Sequence, residues 1–262
     1  MTKPIILYDI PGTNEEFKAW SPNVWLARLA LNIKKLPYTT EWVEYPDIQA
    51  LYTDKLHILP KSKNDDGSPY YTLPVIYDPS TDQAISETFL IVEYLDAQYP
   101  SPLAHRLIPP KSKALMRAFS RAISPRIWGP IAWFVNRYPT YQILTSERSK
   151  DFFRKSREAD LEEGKKLEDL IPTDEERKAG LEKLRIGLEN LGQWIDLEGP
   201  DSVYVMGDEV SLADCYVIAS IAWVRGVIGT ESDVWKGTTS WEDGRWERYF
   251  NKFKDEGFLA IH

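Results

Sequence analysis

Residues 4–45 constrain the fold more than any other stretch, because they read as strand, helix, strand with little chain to spare. PIILYDI (4–10) is a short apolar run bounded by Pro and Pro-Gly, the pattern of a buried strand. After the loop PGTNEEFK comes SPNVWLARLAL, and from Pro22 to Leu36 the residues Trp25, Leu26, Leu29, Ala30, Ile33 and Leu36 share one broad helical face. YTTEWVEY (38–45) is rich in aromatic and β-branched residues and reads as a second strand. A helix crossing between two strands of one sheet makes those strands parallel.

Further along, DIQALYTDKLH suits a short helix and LPKSKNDDGSPYY a polar loop. TLPVIYD (72–78) and QAIS (83–86), joined by the turn DPSTD, predict an antiparallel hairpin, and ETFLIVEYLDAQYP (87–100) predicts a helix stopped by proline. The first hundred residues thus give β-α-β-α-β-β-α. The proline-rich stretch SPLAHRLIPPKS (101–112) reads as a linker, and everything after it is helical in pattern. KALMRAFSRAISPRIWGPIAWFVNRY predicts a long aromatic helix kinked at Pro125 and Pro130. ERSKDFFRKSREADLEEGKKLEDLI is charged and amphipathic, and RKAGLEKLRIGLENLGQWI keeps a clean 3.6-residue period. SLADCYVIASIAWV (211–224) is apolar nearly all round and belongs at the centre of a second domain. A length of 262 residues accommodates this division into an α/β domain (1–100), a linker (101–112) and an all-α domain (113–262).

Composition removes several function classes. The 32 basic residues are scattered among 40 acidic ones, giving a net charge of −8, so nucleic acid and anionic membranes are not expected partners. No apolar run is long enough to span a membrane, and MTKPIILYDIPG is too short in its apolar part for a secretory signal, which predicts a soluble, cytoplasmic protein. The single cysteine, Cys215, excludes an internal disulfide, and the three histidines, His57, His105 and His262, are too dispersed for a histidine metal site.

Three places carry possible chemistry. Leu73-Pro74 puts a proline inside a strand pattern, so either the bond is cis and turns the Leu73 backbone toward a ligand, or Pro74 opens an edge strand. Ser86-Glu87-Thr88 opens a helix: it either caps that helix or receives an anion at the exposed N–H groups while Glu87 neutralises a neighbouring ammonium. Ser21, ahead of Pro22, is either an ordinary cap or a hydroxyl that stabilises a bound thiolate together with the helix dipole. Ser211 and Asp214 have capping-box spacing and read as structural.

The order SPNVWLARLAL, LPV, SET, proline linker, helical half and late SLAD resembles the cytosolic glutathione transferase family over essentially the whole chain. The DGSPYYTLPVIYD region is most similar to fungal, serine-dependent, etherase-like members. The resemblance implies a thioredoxin-like first domain, glutathione as co-substrate, no metal, and a homodimer. It implies Ser21 as the catalytic hydroxyl, Leu73 and Pro74 beside the cysteinyl backbone, and Glu87 and Thr88 at the γ-glutamyl group. Lys55 and His57 are candidates for the glycine carboxylate, and Tyr8 competes with Ser21. A serine at the helix start cannot form a mixed disulfide, which favours conjugation or ether cleavage over thiol-disulfide exchange. The hydrophobic second substrate is expected between the domains near Trp20, Trp128, Trp133, Phe134 and Tyr138. Cys215, in the most apolar helix, is expected to be an inert core thiol. Detoxification of aromatic compounds follows as the expected role, with non-catalytic carriage of hydrophobic ligands as the alternative. The tail 230–262 is aromatic enough to pack back onto the fold.

Overall fold

Residues 3–14, 18–100, 106–137, 140–199 and 202–262 are described by a computed structural model. β1 (Ile5–Asp9) is almost wholly buried because it is an inner strand of a four-stranded sheet, covered on both faces. Its C-terminal end leads to α1 (Pro22–Ile33), in which every residue except Asn23 is buried. Such a helix cannot be a surface helix: the sheet covers one side, and the second domain covers the other. β2 (Tyr38–Trp42) lies parallel to β1, with Ile5 opposite Tyr38 and Asp9 opposite Trp42. β2 stops short of the expected Tyr45, where Tyr45–Asp47 turns into a 3₁₀ helix, because Pro46 cannot donate to a ladder.

α2 (Ile48–Ala50) runs directly into a π-helical turn, Leu51–Lys55. The polar loop after it holds a small hairpin, β3 (Ser62–Lys63) and β4 (Pro69–Tyr70), that residue pattern alone did not suggest. β5 (Val75–Asp78) and β6 (Gln83–Ser86) complete the main sheet in the order β2-β1-β5-β6, both pairings beyond β1 being antiparallel. The strand begins after Pro74 instead of containing it, and the Leu73-Pro74 bond is cis. α3 (Thr88–Gln98) closes the domain.

Two buried ion pairs fix these layers. Arg28 of α1 meets Asp9 of β1 at 2.7 Å with both side chains fully buried, and also donates to Thr40 of β2 at 3.0 Å. Lys34 meets Asp96 of α3 at 2.9 Å, and Asp96 also accepts the backbone N–H of Ile108 at 2.8 Å. Residues 101–105 of the expected linker lie outside the described residues, but its second half is anchored, with Leu107 and Ile108 buried.

The second half is helical. α4 (Lys113–Ile123) passes through a π-helical segment, Ser124–Trp128, into α5 (Gly129–Arg137), so the expected kinks at Pro125 and Pro130 are absorbed by a widened turn. α6 (Glu147–Glu158) is followed by the long α7 (Asp174–Asp196). α8 (Leu212–Trp223), buried at every residue but Tyr216, packs on α1 and is the centre of the second domain. The Asp214 carboxylate accepts from the N–H and hydroxyl of Ser211 at 2.7 and 2.8 Å, from the Val205 N–H at 2.7 Å and from the Tyr249 hydroxyl, the structural role expected of it. α9 (Asp233–Asp255) ends in a tail that returns to the first domain: Asn32 donates to the carbonyls of Phe258 and Ala260, and the Thr40 N–H donates to His262. The tail thereby covers the otherwise open edge of β2. Among the described residues no helix is long and apolar enough to cross a membrane, and no cluster of potential metal ligands occurs.

Candidate active site

The sheet register gathers the three sequence signals at one end. β1 runs toward Asp9 and then to the N-terminus of α1, which places Ser21 at that end. Tyr8 pairs with Val75, so cis Leu73-Pro74 enters the sheet there, and Val75 pairs with Ser86, so Glu87 leaves it there. The order of strands alone therefore converges the three N-terminal segments.

Ser21 occupies the cap position of α1 with extended backbone, yet its side chain makes no cap hydrogen bond. Ser21 instead lines a cleft of about 250 Å³ between the two domains. From the first domain come Trp20, Asn23 and Tyr45. From α5 and the π segment before it come Trp128, Ala132, Val135 and Asn136, a spacing of one helical face. Phe153, Arg157 and Trp223 close it, with Trp128 and Trp223 rings 5.1 Å apart and Tyr45 edge-on to Phe153 at 5.7 Å. Burial pushes the Tyr45 phenol well above its ordinary pKa, so it stays neutral.

Glu87 is also not an ordinary cap. Its backbone sits at φ 77°, a region costly for a side-chain-bearing residue, and its carboxylate makes no cap bond. The carboxylate instead accepts from the Ser62 hydroxyl at 2.8 Å, so the β3–β4 hairpin reaches this site. Tyr52 donates to the Thr72 carbonyl at 2.7 Å, just ahead of Leu73; burial pushes its phenol up to about 12, so it remains a donor. Lys55 lies over the Tyr8 ring at 5.2 Å and pairs with Glu41. Its partial burial opposes the ammonium, but Glu41 and Tyr8 outweigh this and raise its pKa. His57 is exposed at φ 51°, its Nδ1 2.8 Å from the Thr53 carbonyl.

The junction between domains has its own polar lock. The Glu44 carboxylate accepts from the hydroxyls of Thr145, Ser146 and Ser149 at the head of α6. Partial burial works against the carboxylate, but the three hydroxyls overcome it and its pKa falls below the ordinary glutamate value. The sign follows: the stabilisation is present above the unfolded pKa and is lost as pH falls through the lower folded value. Glu44→Gln should cost about 1–2 kcal/mol at pH 7 and less at pH 3, measured by urea unfolding at both pH values. An equal cost at both would mean that the charge is irrelevant.

With this geometry in place, comparison with known proteins decides the family. Residues 20–98 match the glutathione S-transferase N-terminal domain, and residues 114–255 match its C-terminal domain. The chain belongs to the glutathione S-transferase family. A Ceriporiopsis subvermispora glutathione S-transferase, CsGST63524, solved in complex with glutathione, is 40% identical, with 99% of each chain covered and a TM-score of 0.89. Glutathione transferase GSTFuA3 of Phanerochaete chrysosporium is 34% identical over the whole of both chains, with a TM-score of 0.88. A glutathione S-transferase-like protein of Aspergillus flavus, ustS, is 29% identical over 84% of this chain and 80% of its own length. The thioredoxin-like first domain and all-helical second domain are those of this family.

Not every expected residue reaches the cleft. Trp20 and Trp128 line it, but Trp133 and Phe134 do not. On α5 the cleft face runs through 128, 132, 135 and 136; the intervening phase turns Trp133 toward α7 and buries Phe134 in the core. Tyr138 lies outside the described residues. Tyr8 is buried in the sheet, its phenol pushed up by burial, and does not line the cleft of Ser21. Cys215 is fully buried, with burial pushing its thiol up, as an inert core position requires. Sequence reading missed Ser62, Tyr45, Phe153, Arg157 and Trp223. Phe153 and Arg157 stand four residues apart on α6, a signal of a shared face, but nothing local says what that face meets.

Proposed function

We propose that the protein is a serine-type glutathione transferase that conjugates glutathione to hydrophobic aromatic electrophiles or cleaves aryl ethers. The observation that carries this reading is Ser21, whose hydroxyl makes no cap bond and which lines an aromatic cleft between the domains. In this reading the glutathione cysteinyl backbone pairs with Leu73 beside cis Pro74, as in an added strand. The γ-glutamyl carboxylate sits at the N-terminus of α3 with Thr88, and its ammonium pairs with Glu87, which Ser62 orients. Lys55 and His57 are offered for the glycine carboxylate, although Lys55 is engaged by Glu41. The sulfur is then held by the Ser21 hydroxyl and the positive end of α1, which favours the thiolate. The thiolate forms a carbon–sulfur bond at the activated ring carbon while halide or aryloxide departs. A cytoplasmic homodimer acting in detoxification completes the reading.

Retention on immobilised glutathione and turnover of a panel of halo-aromatics, isothiocyanates and β-aryl ethers test it. Glu87→Gln should weaken glutathione binding about tenfold, because it leaves the ammonium without its counter-charge, while melting temperature changes little. Equal affinity in the variant would remove Glu87 from the site. A second reading, carriage without catalysis, is favoured by a separate groove of about 440 Å³ between α5 and α7, walled by Trp133, Pro130 and Lys183. Ligand binding with no turnover of any panel member would favour it.

A further inference from the structure

The cleft beside Ser21 is not simply apolar. Among its described lining residues Arg157 is the one that carries a charge, since Tyr45 is neutral, and no carboxylate faces it. Arg157 is exposed, and its guanidinium lies over the Phe153 ring at 5.3 Å and makes no hydrogen bond or ion pair with any described residue. Neighbouring arginines are engaged: Arg154 is paired with Glu158 and Glu168, and Arg148 with Asp47. The other polar side chains that line the cleft, those of Ser21, Asn23, Asn136 and Thr140, are uncharged and can accept as well as donate, which leaves Arg157 as the formal charge on its wall. In a chain of net charge −8, this cation stands out against the overall charge.

Arg157 and Phe153 also border a second cavity of about 260 Å³, so both residues are shared by two neighbouring spaces. The other ionisable residues of that second space are Arg137 and Asp160. Arg137 is occupied, lying 4.3 Å over the Trp133 ring and donating to the Trp133 carbonyl. Asp160 forms no ion pair with Arg157. Arg157 remains the cation available to a ligand held near Ser21.

We propose that the cleft selects aromatic electrophiles that carry an anionic group such as a carboxylate, met by the planar fork of Arg157 while the ring packs among Trp128, Phe153 and Tyr45. This rests on the conjugation reading above. Guanidinium and carboxylate match in shape as well as charge, and a stacked guanidinium loses little freedom on pairing. The proposed reaction with 4-chloro-3-nitrobenzoate balances simply. The glutathione sulfur forms a bond at C4, the carbon–chlorine bond breaks, chloride leaves, and the thiol proton passes to solvent.

The test compares 4-chloro-3-nitrobenzoate with 4-chloro-3-nitrobenzamide, the same ring without the charge. For each, kcat/KM is divided by the uncatalysed rate, which removes their different intrinsic reactivity. The benzoate should be favoured about tenfold, the preference should collapse in Arg157→Gln, and Arg157→Lys, which keeps the charge but not the planar fork, should restore only part of it. Raising ionic strength should shrink the preference in the wild type and leave the Arg157→Gln ratio unmoved, which a purely structural residue would not produce. Using a ratio cancels any loss shared by both substrates. An unchanged ratio in Arg157→Gln overturns the proposal. Binding is followed independently by quenching of tryptophan fluorescence, because Trp20, Trp128 and Trp223 line the cleft. Arg157-dependent preference for the benzoate in binding, with neither compound turned over, sinks conjugation but supports the anionic cleft. Turnover of both without preference sinks the anionic cleft but leaves conjugation standing.

Discussion

Ser21→Ala should lower conjugation of a halo-aromatic substrate about fiftyfold at pH 6.5 and only slightly at pH 9. The reasoning is thermodynamic. A free thiol has a pKa of about 8.5, and a hydrogen bond donated by Ser21 to the thiolate can by itself lower this by about two units, the helix N-terminus being common to wild type and variant. At pH 6.5 the bound sulfur is then about half ionised in the wild type and about one per cent ionised in the variant. The acidic limb of the kcat/KM profile should therefore move up by about two pH units, while glutathione affinity stays close to that of the wild type. A second measurement separates this from damage to the helix. Losing a serine cap normally costs about 1 kcal/mol. Ser21 makes no cap bond, so the variant should melt within a degree or two of the wild type. An unmoved acidic limb would direct attention to Tyr8, despite its burial in the sheet.

How much of this was legible in the sequence depends on how local each signal is. The βαβ start, the 83–86 strand and the Ser211–Asp214 box were readable because periodicity and capping act within a few residues. Leu73-Pro74 was readable as a conflict between proline and strand, and the strand resolves it by starting one residue later. The β3–β4 hairpin was not readable: two-residue strands in a polar loop carry no alternation, and their register depends on tertiary partners. Trp133 and Phe134 lie off the cleft of Ser21 for a related reason. Aromatic content identifies a helix that meets something, but only the phase of α5 against the other domain decides which residues meet the cleft. Arg157 was hidden in the same way, as one exposed cation among many on a charged helix, and only Tyr45 and Trp128 from elsewhere in the chain make its position part of a cleft.

Gly187 shows what such long-range packing demands, and Gly187→Ala should destabilise the protein by about 3 kcal/mol. In an exposed helix the same change would stabilise by up to about 1 kcal/mol, since glycine is a poor helix former. At this position of α7, a Cβ would stand 1.9 Å from the backbone oxygen of Arg126 and 2.8 Å from its carbonyl carbon. No rotamer relieves a clash with backbone, so either α7 or the π-helical segment Ser124–Trp128 must shift. The same segment ends at Trp128 in the cleft, which couples the two effects. The expected result is a melting temperature lower by about 6–12 °C together with a raised KM for the aromatic substrate, while retention on glutathione, bound by the other domain, is kept. Lys178→Ala, on the exposed face of the same helix, should change neither measurement. A Gly187→Ala protein as stable as the wild type would mean that α7 and the π segment yield more easily than close-packed backbone allows. A destabilised variant with an unaltered KM would mean that Trp128 is held in the cleft by its tilted ring contact with Trp223 and not by the segment that carries it.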